Sequence, residues 1–158
     1  MALHFQSILS GSSGNCLLLW TGETRLLIDA GFRAQRDFVE VLGHVLPDVD
    51  GVVVSHLHGG HINYSSLRVL EEHGVPVYVH EGDTAFLGEK HFKGRGFSGL
   101  ELRPFSSKRF RVGEFSIEPF ELPHEPGYTT FGFEVSCTQK GRQTKVVLGR
   151  DADGCAGI

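Results

Sequence analysis

Gly51-Val52-Val53-Val54-Ser55-His56-Leu57-His58-Gly59-Gly60-His61 is the stretch on which the fold turns. Its apolar start, read as a strand from Gly51 to Ser55, is what burial on both faces requires, and such strands belong to sheets covered by helices. Three histidines then fall within six residues, at the carboxyl end of that strand. Open α/β sheets place their ligands at this end. Imidazole is a donor for several divalent cations and needs neighbours to complete a coordination shell. His56 and His58 alternate, so an extended segment directs both to the same side. His61 falls on the turn into the next helix.

Outward from this stretch, Asn63 is placed to cap a helix running to His73, with Leu67 and Leu70 inward and Gly74 as its stop. Residues 75–79, Val-Pro-Val-Tyr-Val, return to strand. The strand–loop–helix–strand order predicts a right-handed parallel βαβ unit. Upstream, residues 4–9, 15–20 and 25–29 are apolar-rich and separated by turn residues, which predicts a β-meander. Phe38, Val41, Leu42 and Val45 stand at helical spacing, so residues 34–45 are expected to form an amphipathic helix closed by Pro47. A shorter helix is expected over residues 81–92. From Leu100 onward the pattern is again β. Residues 109–112 and 115–120 predict one hairpin over Gly113-Glu114. Residues 128–137 and 144–148 predict another over Lys140-Gly141-Arg142. The expectation is a single α/β (α+β) domain over residues 1–158.

The chain has 158 residues, a formal net charge of −4 and 40% hydrophobic residues, an ordinary balance for a globular domain. That charge offers no basic surface of the kind that marks nucleic-acid binders, although a metal can hold phosphate locally. Lys90, His91, Lys93 and Arg95 make one small basic cluster, read as a solvated loop. Cys16, Cys137 and Cys155 are odd in number and lack C-x-x-C spacing, so free thiols in a reducing cytoplasm are expected. No signal peptide and no apolar run of membrane-spanning length is evident, so no membrane partner is expected.

Three further residues stand where chemistry is often placed. Asp29 ends the strand Leu26-Leu27-Ile28, where an acid either orients a histidine ligand or forms an ordinary Asp-x-Gly turn. His124 lies between Pro123 and Pro126, which restrict its backbone; a plain surface histidine is the alternative. Asp151 is another acid at the tip of an apolar run, residues 146–149.

Taken in order, Ile28-Asp29-Ala30-Gly31, the histidine stretch, His124 and Asp151 resemble the metallo-β-lactamase superfamily. The opening residues 5–16, Phe-Gln-Ser-Ile-Leu-Ser-Gly-Ser-Ser-Gly-Asn-Cys, are similar to its WalJ/YycJ-like branch. The resemblance implies an αββα sandwich, here mainly its N-terminal portion, and a metal-dependent hydrolase, phosphodiesterase- or exonuclease-like, with a nucleic-acid or other phosphodiester substrate. Lactonase or thioesterase chemistry on the same scaffold is the neighbouring possibility. It further implies that His56, His58 and His124 bind a first metal, that Asp151 bridges to a second, and that His61 belongs to the second. Asp29 and Asp151 would be the carboxylates of the catalytic centre, Asp29 supporting the histidine loop without touching metal. Zinc or manganese is the implied cofactor, with iron as a further candidate.

The chain departs from that pattern at Gly60, where the family carries a metal-binding aspartate. One firm metal site and a weak or empty second site are therefore expected, with a catalytically impaired metal-binding protein as the alternative to an active enzyme. The resemblance also leads to the expectation of a portion missing at the C-terminus, and of self-association if the uncovered strands find no partner.

Overall fold

Alternation along the central strands dictates two cores rather than one. In the computed structural model, which describes residues 3–11, 14–84, 87, 97, 99–123 and 130–149, strands β1 (His4–Leu9), β2 (Cys16–Trp20) and β3 (Arg25–Ile28) form the expected antiparallel meander. Strands β4 (Gly51–Val53), β5 (Val77–His80) and β6 (Leu102–Phe105) continue the same sheet in parallel, in the order β1-β2-β3-β4-β5-β6. Leu18, Leu27, Val52 and Val77 point to one face, and Leu17, Leu26, Val53 and Tyr78 to the other. Both faces are covered, as the continuous apolar runs demand.

The first face packs against α1 (Gln35–Leu42) and α2 (Tyr64–Glu72) through Phe38, Leu42, Leu67 and Leu70. The second packs against an antiparallel sheet ordered β10-β9-β8-β7, made of β7 (Phe110–Val112), β8 (Phe115–Leu122), β9 (Thr130–Gln139) and β10 (Arg142–Leu148). Phe115, Ile117, Phe133 and Val135 fill the space between the sheets. The described residues thus make three layers, helices on sheet on sheet. The fourth, helical layer of the expected sandwich is not among them.

Most elements stand where the sequence places them, with instructive shifts at their ends. Helix α1 ends at Leu42: the Gly43 N–H makes the closing i→i−4 bond, to Val39 O, and the Val45 N–H then turns to Leu42 O three residues back; Pro47 sits in a short 3-10 turn, Leu46–Asp48, instead of ending the helix. The cap at Asn63 is a full capping box: its side chain accepts from the Ser66 N–H, and the Ser66 hydroxyl receives the Asn63 N–H. Such a cap contributes about 1 kcal/mol. The β9–β10 turn is tighter than expected, with Arg142 already paired to Gln139. Its two residues, Lys140 and Gly141, have φ of 52° and 75°, the left-handed pair that a two-residue hairpin needs. Strand β6 falls in the β pattern expected from Leu100 onward, although the sequence does not mark its bounds or its parallel pairing with β5. The helix expected over residues 81–92 falls largely outside the described residues.

Candidate metal centre

The carboxyl ends of β3 and β4 meet at the histidine loop, and one buried carboxylate organises the junction. Strand β4 ends at Val53, two residues before the expected Ser55. The cause is a change of partner. The Val54 N–H still pairs with Tyr78 O of β5, but the Ser55 N–H turns to Asp29 Oδ1 at 2.7 Å. The Ser55 hydroxyl donates to Asp29 Oδ2 at 2.7 Å, and His61 Nδ1 lies 2.6 Å from the same oxygen. Asp29 is fully buried and adopts φ of 64°. That conformation is costly for most side-chain-bearing residues and is tolerated by Asp and Asn. It turns the carboxylate inward across the end of the sheet.

A carboxylate only accepts, so the proton on this edge of the His61 ring is on Nδ1. Nε2 is then the acceptor edge of the ring, and Asn15 Nδ2 lies 3.3 Å from it. The same amide nitrogen reaches Gly11 O and Gly60 O. Backbone bonds complete the clamp: Asn15 N–H to Gly60 O at 2.7 Å, Ala30 N–H to His61 O at 2.7 Å and Gly31 N–H to Asn15 O at 2.9 Å. Residue 31 has to be glycine, because a Cβ there would stand 1.9 Å from Gly60 O. The second sheet reaches the loop too, through the Phe131 N–H to Ser55 O at 2.9 Å.

Three of the expected metal ligands are brought together. The His56 ring lies 4.6 Å from His58 and 4.0 Å from His61, between centroids. His56 and His61 are buried, while His58 is half-buried on the wall of a cleft of about 570 Å³ that also includes Asn15, Arg33, Gly60 and His61. Among the described residues, no three His, Cys, Asp or Glu side chains converge in metal-binding geometry. His124 and Asp151, expected as further ligands, lie outside the described residues, as does the basic cluster at Lys90, His91, Lys93 and Arg95. The donor chemistry still suits a divalent cation: imidazoles are gathered at a strand end, one held in the Nδ1–H form by a carboxylate, as ligand histidines usually are. Sequence reasoning assigned no role to Ser55, Asn15 or Arg33. A serine and an asparagine in polar loops carry no local signal of partners 26 and 46 residues away.

Comparison with known proteins bears on the family and the fold. Over 84 residues the chain is 39% identical to an exodeoxyribonuclease YycJ of Bacillus anthracis, matching 51% of this chain and 31% of that protein. It is 24% identical over 127 residues to an exodeoxyribonuclease WalJ of Streptococcus pneumoniae, matching 79% of this chain and 47% of that one. The chain therefore spans 31% to 47% of the length of these curated relatives. In structure it resembles the metallo-beta-lactamase fold protein YhfI of Bacillus subtilis, with a TM-score of 0.69 and 20% identity over 93% of this chain and 62% of that one. A B3 metallo-beta-lactamase with an active-site glutamic acid gives 0.65 and 17% over 90% and 58%. A sequence profile of the metallo-beta-lactamase superfamily matches residues 9–142, which together with the fold places this chain in that superfamily.

Proposed function

We propose that the chain serves a metal-dependent hydrolase acting on phosphodiesters, with exonuclease-like action on nucleic acid. The observation that carries the reading is the buried Asp29 holding Ser55 and His61, with the His56 ring packed between His61 and His58, and His58 and His61 lining a cleft at the strand ends. The names of the YycJ and WalJ relatives support the nucleic-acid substrate. In this reading His56, His58 and His124 hold a first cation with Asp151. His61 and the shared Asp151 serve a weaker second position. A zinc or manganese ion held there supplies Lewis acidity toward a phosphoryl oxygen and an acidified water.

The chain's own residues do the rest. Asp29 keeps the proton on His61 Nδ1 and so fixes which edge of the ring faces the cleft. The Asn15 and Gly31 backbone clamps hold the loop against displacement on substrate entry. Gly60 has no side chain to orient a water or carry a proton, and this one residue favours a second reading, a metal-binding protein with impaired turnover.

Hydrolysis of a single-stranded oligonucleotide, assayed with added manganese or zinc on this chain and on Gly60→Asp, separates the two. The first reading expects slow metal-dependent cleavage, raised in kcat by about 10²-fold or more in the variant, the usual contribution of a positioned acid–base group. Absence of metal-dependent cleavage by both proteins would leave the impaired reading standing.

A further inference from the structure

Ser55 is held at its backbone and at its side chain, and its one hydroxyl proton decides what the hydroxyl oxygen can do next. The residue is buried, 2% exposed. Its N–H goes to Asp29 Oδ1 at 2.7 Å, and its carbonyl receives the Phe131 N–H at 2.9 Å. The hydroxyl lies 2.7 Å from Asp29 Oδ2. A carboxylate only accepts, so the hydroxyl proton is committed to that oxygen. Toward any further neighbour Ser55 Oγ is then an acceptor. Two ring nitrogens face it, His61 Nδ1 at 3.1 Å and His56 Nδ1 at 3.4 Å. His61 Nδ1 has a nearer partner in Asp29 Oδ2, at 2.6 Å. His56 Nδ1 meets the serine oxygen, and only the Nδ1–H form of that ring makes the contact attractive. With the proton on Nε2, two lone pairs would face each other. At 3.4 Å the bond is long, so it biases the ring rather than locking it.

We propose that Ser55 is a positioning residue that relays Asp29 to His56. One buried carboxylate then sets the tautomer of two rings, His61 directly and His56 through the serine hydroxyl. This rests on the metal-centre reading above and adds to it a division of roles. In that reading His56 belongs to the first cation and His61 to the second. Loss of the hydroxyl therefore acts on the first position, whereas loss of the carboxylate acts on both. An Nδ1–H imidazole keeps its lone pair on Nε2, so the relay favours one edge of the His56 ring for a cation.

Nitrogen-15 spectra of the histidine rings, recorded in excess EDTA at about pH 8, above the ordinary imidazole value, read the tautomers without turnover or metal. Wild type is expected to hold His56 and His61 as Nδ1–H. Ser55→Ala should move His56 toward the Nε2–H form and leave His61 as it was. Ser55→Thr, which keeps the hydroxyl, should return His56 to the wild-type form. Zinc titration after removal of the chelator should show Ser55→Ala binding the ion about tenfold more weakly, the low end of the usual loss when a ligand histidine loses its supporting partner. A His56 ring already in the Nε2–H form in wild type, or unmoved by Ser55→Ala, would overturn the relay. So would equal movement of His56 and His61, which is what a general loosening of the loop produces. The expected tautomer pattern with no zinc binding by wild type would remove the metal-centre reading and leave the relay in place.

Discussion

Asp29 spends a left-handed backbone conformation to place one carboxylate where three donors converge, the Ser55 N–H, the Ser55 hydroxyl and His61 Nδ1. Hydrogen bonds to a charged acceptor contribute about 1.5–3 kcal/mol, and a buried group left facing a mismatched partner costs more than it gained. Asp29→Asn keeps the size and the tolerance of positive φ, so it isolates the carboxylate from the backbone effect. One of its side-chain atoms becomes a donor and faces donors. The variant is expected to lose about 1.5–3 kcal/mol, measured by urea denaturation, with Tm falling by about 2–4 °C per kcal/mol. Ser55→Ala should lose only about 1 kcal/mol, because its N–H still reaches Asp29 Oδ1. An Asp29→Asn protein as stable as wild type would remove the carboxylate from its organising place. The histidines were legible in the sequence because they cluster. Asp29 was legible only as an acid at a strand end, since its partners come from 26 and 32 residues further along the chain.

Helix α2 was legible at both ends, because the Asn63 cap and the Gly74 stop, with φ of 66°, are local signals. Strand β6 was not. Its residues Leu102-Arg103-Pro104-Phe105 are half exposed, and Pro104 argues against a strand; it is tolerated because β6 lies at the edge of its sheet. What locates the segment ahead of β6 is tertiary. Glu71 near the end of α2 accepts the Gly99 N–H at 2.8 Å and pairs with Arg68 at 2.7 Å. The Gly99 N–H first, and then Arg68, hold the Glu71 carboxyl below the ordinary glutamate range. The folded chain therefore binds this proton less tightly than the unfolded chain. The resulting stability is present above the ordinary glutamate value and is lost as pH falls through the depressed one. Urea melts from neutral to acid pH should show wild type losing a stability increment in that window, and Glu71→Gln losing correspondingly less. Parallel profiles for the two proteins would mean that the contact does not anchor the segment.

At the scale of the molecule, the mixed sheet is the shared wall of two cores, and the layers are tied beyond it. The Phe131 N–H of β9 reaches Ser55 O at the histidine loop. On the β7–β8 turn, Glu114 accepts from the Thr21 hydroxyl at 2.6 Å, and its N–H donates to Thr24 Oγ1. Large exposed apolar side chains among the described residues are Phe5, Val39, Val41 and Val147, spread over β1, α1 and β10. Neighbours in sequence serve opposite cores: Leu26 packs toward the second sheet and Leu27 toward the helices, and both are fully buried. Trp20, the single tryptophan, packs on the helix side. If the shared wall couples the layers, Leu26→Ala should cost about 2–5 kcal/mol, the usual range for a buried leucine. It should also lower the urea midpoint read by Trp20 fluorescence as much as the midpoint read by far-ultraviolet circular dichroism, although Trp20 lies across the sheet from the cavity. Coincident transitions are the mark of one cooperative unit. A Trp20 transition that stays at the wild-type midpoint while the circular dichroism shifts would mean that the helix layer and the second sheet unfold independently, and the sheet would then be a partition rather than a coupling.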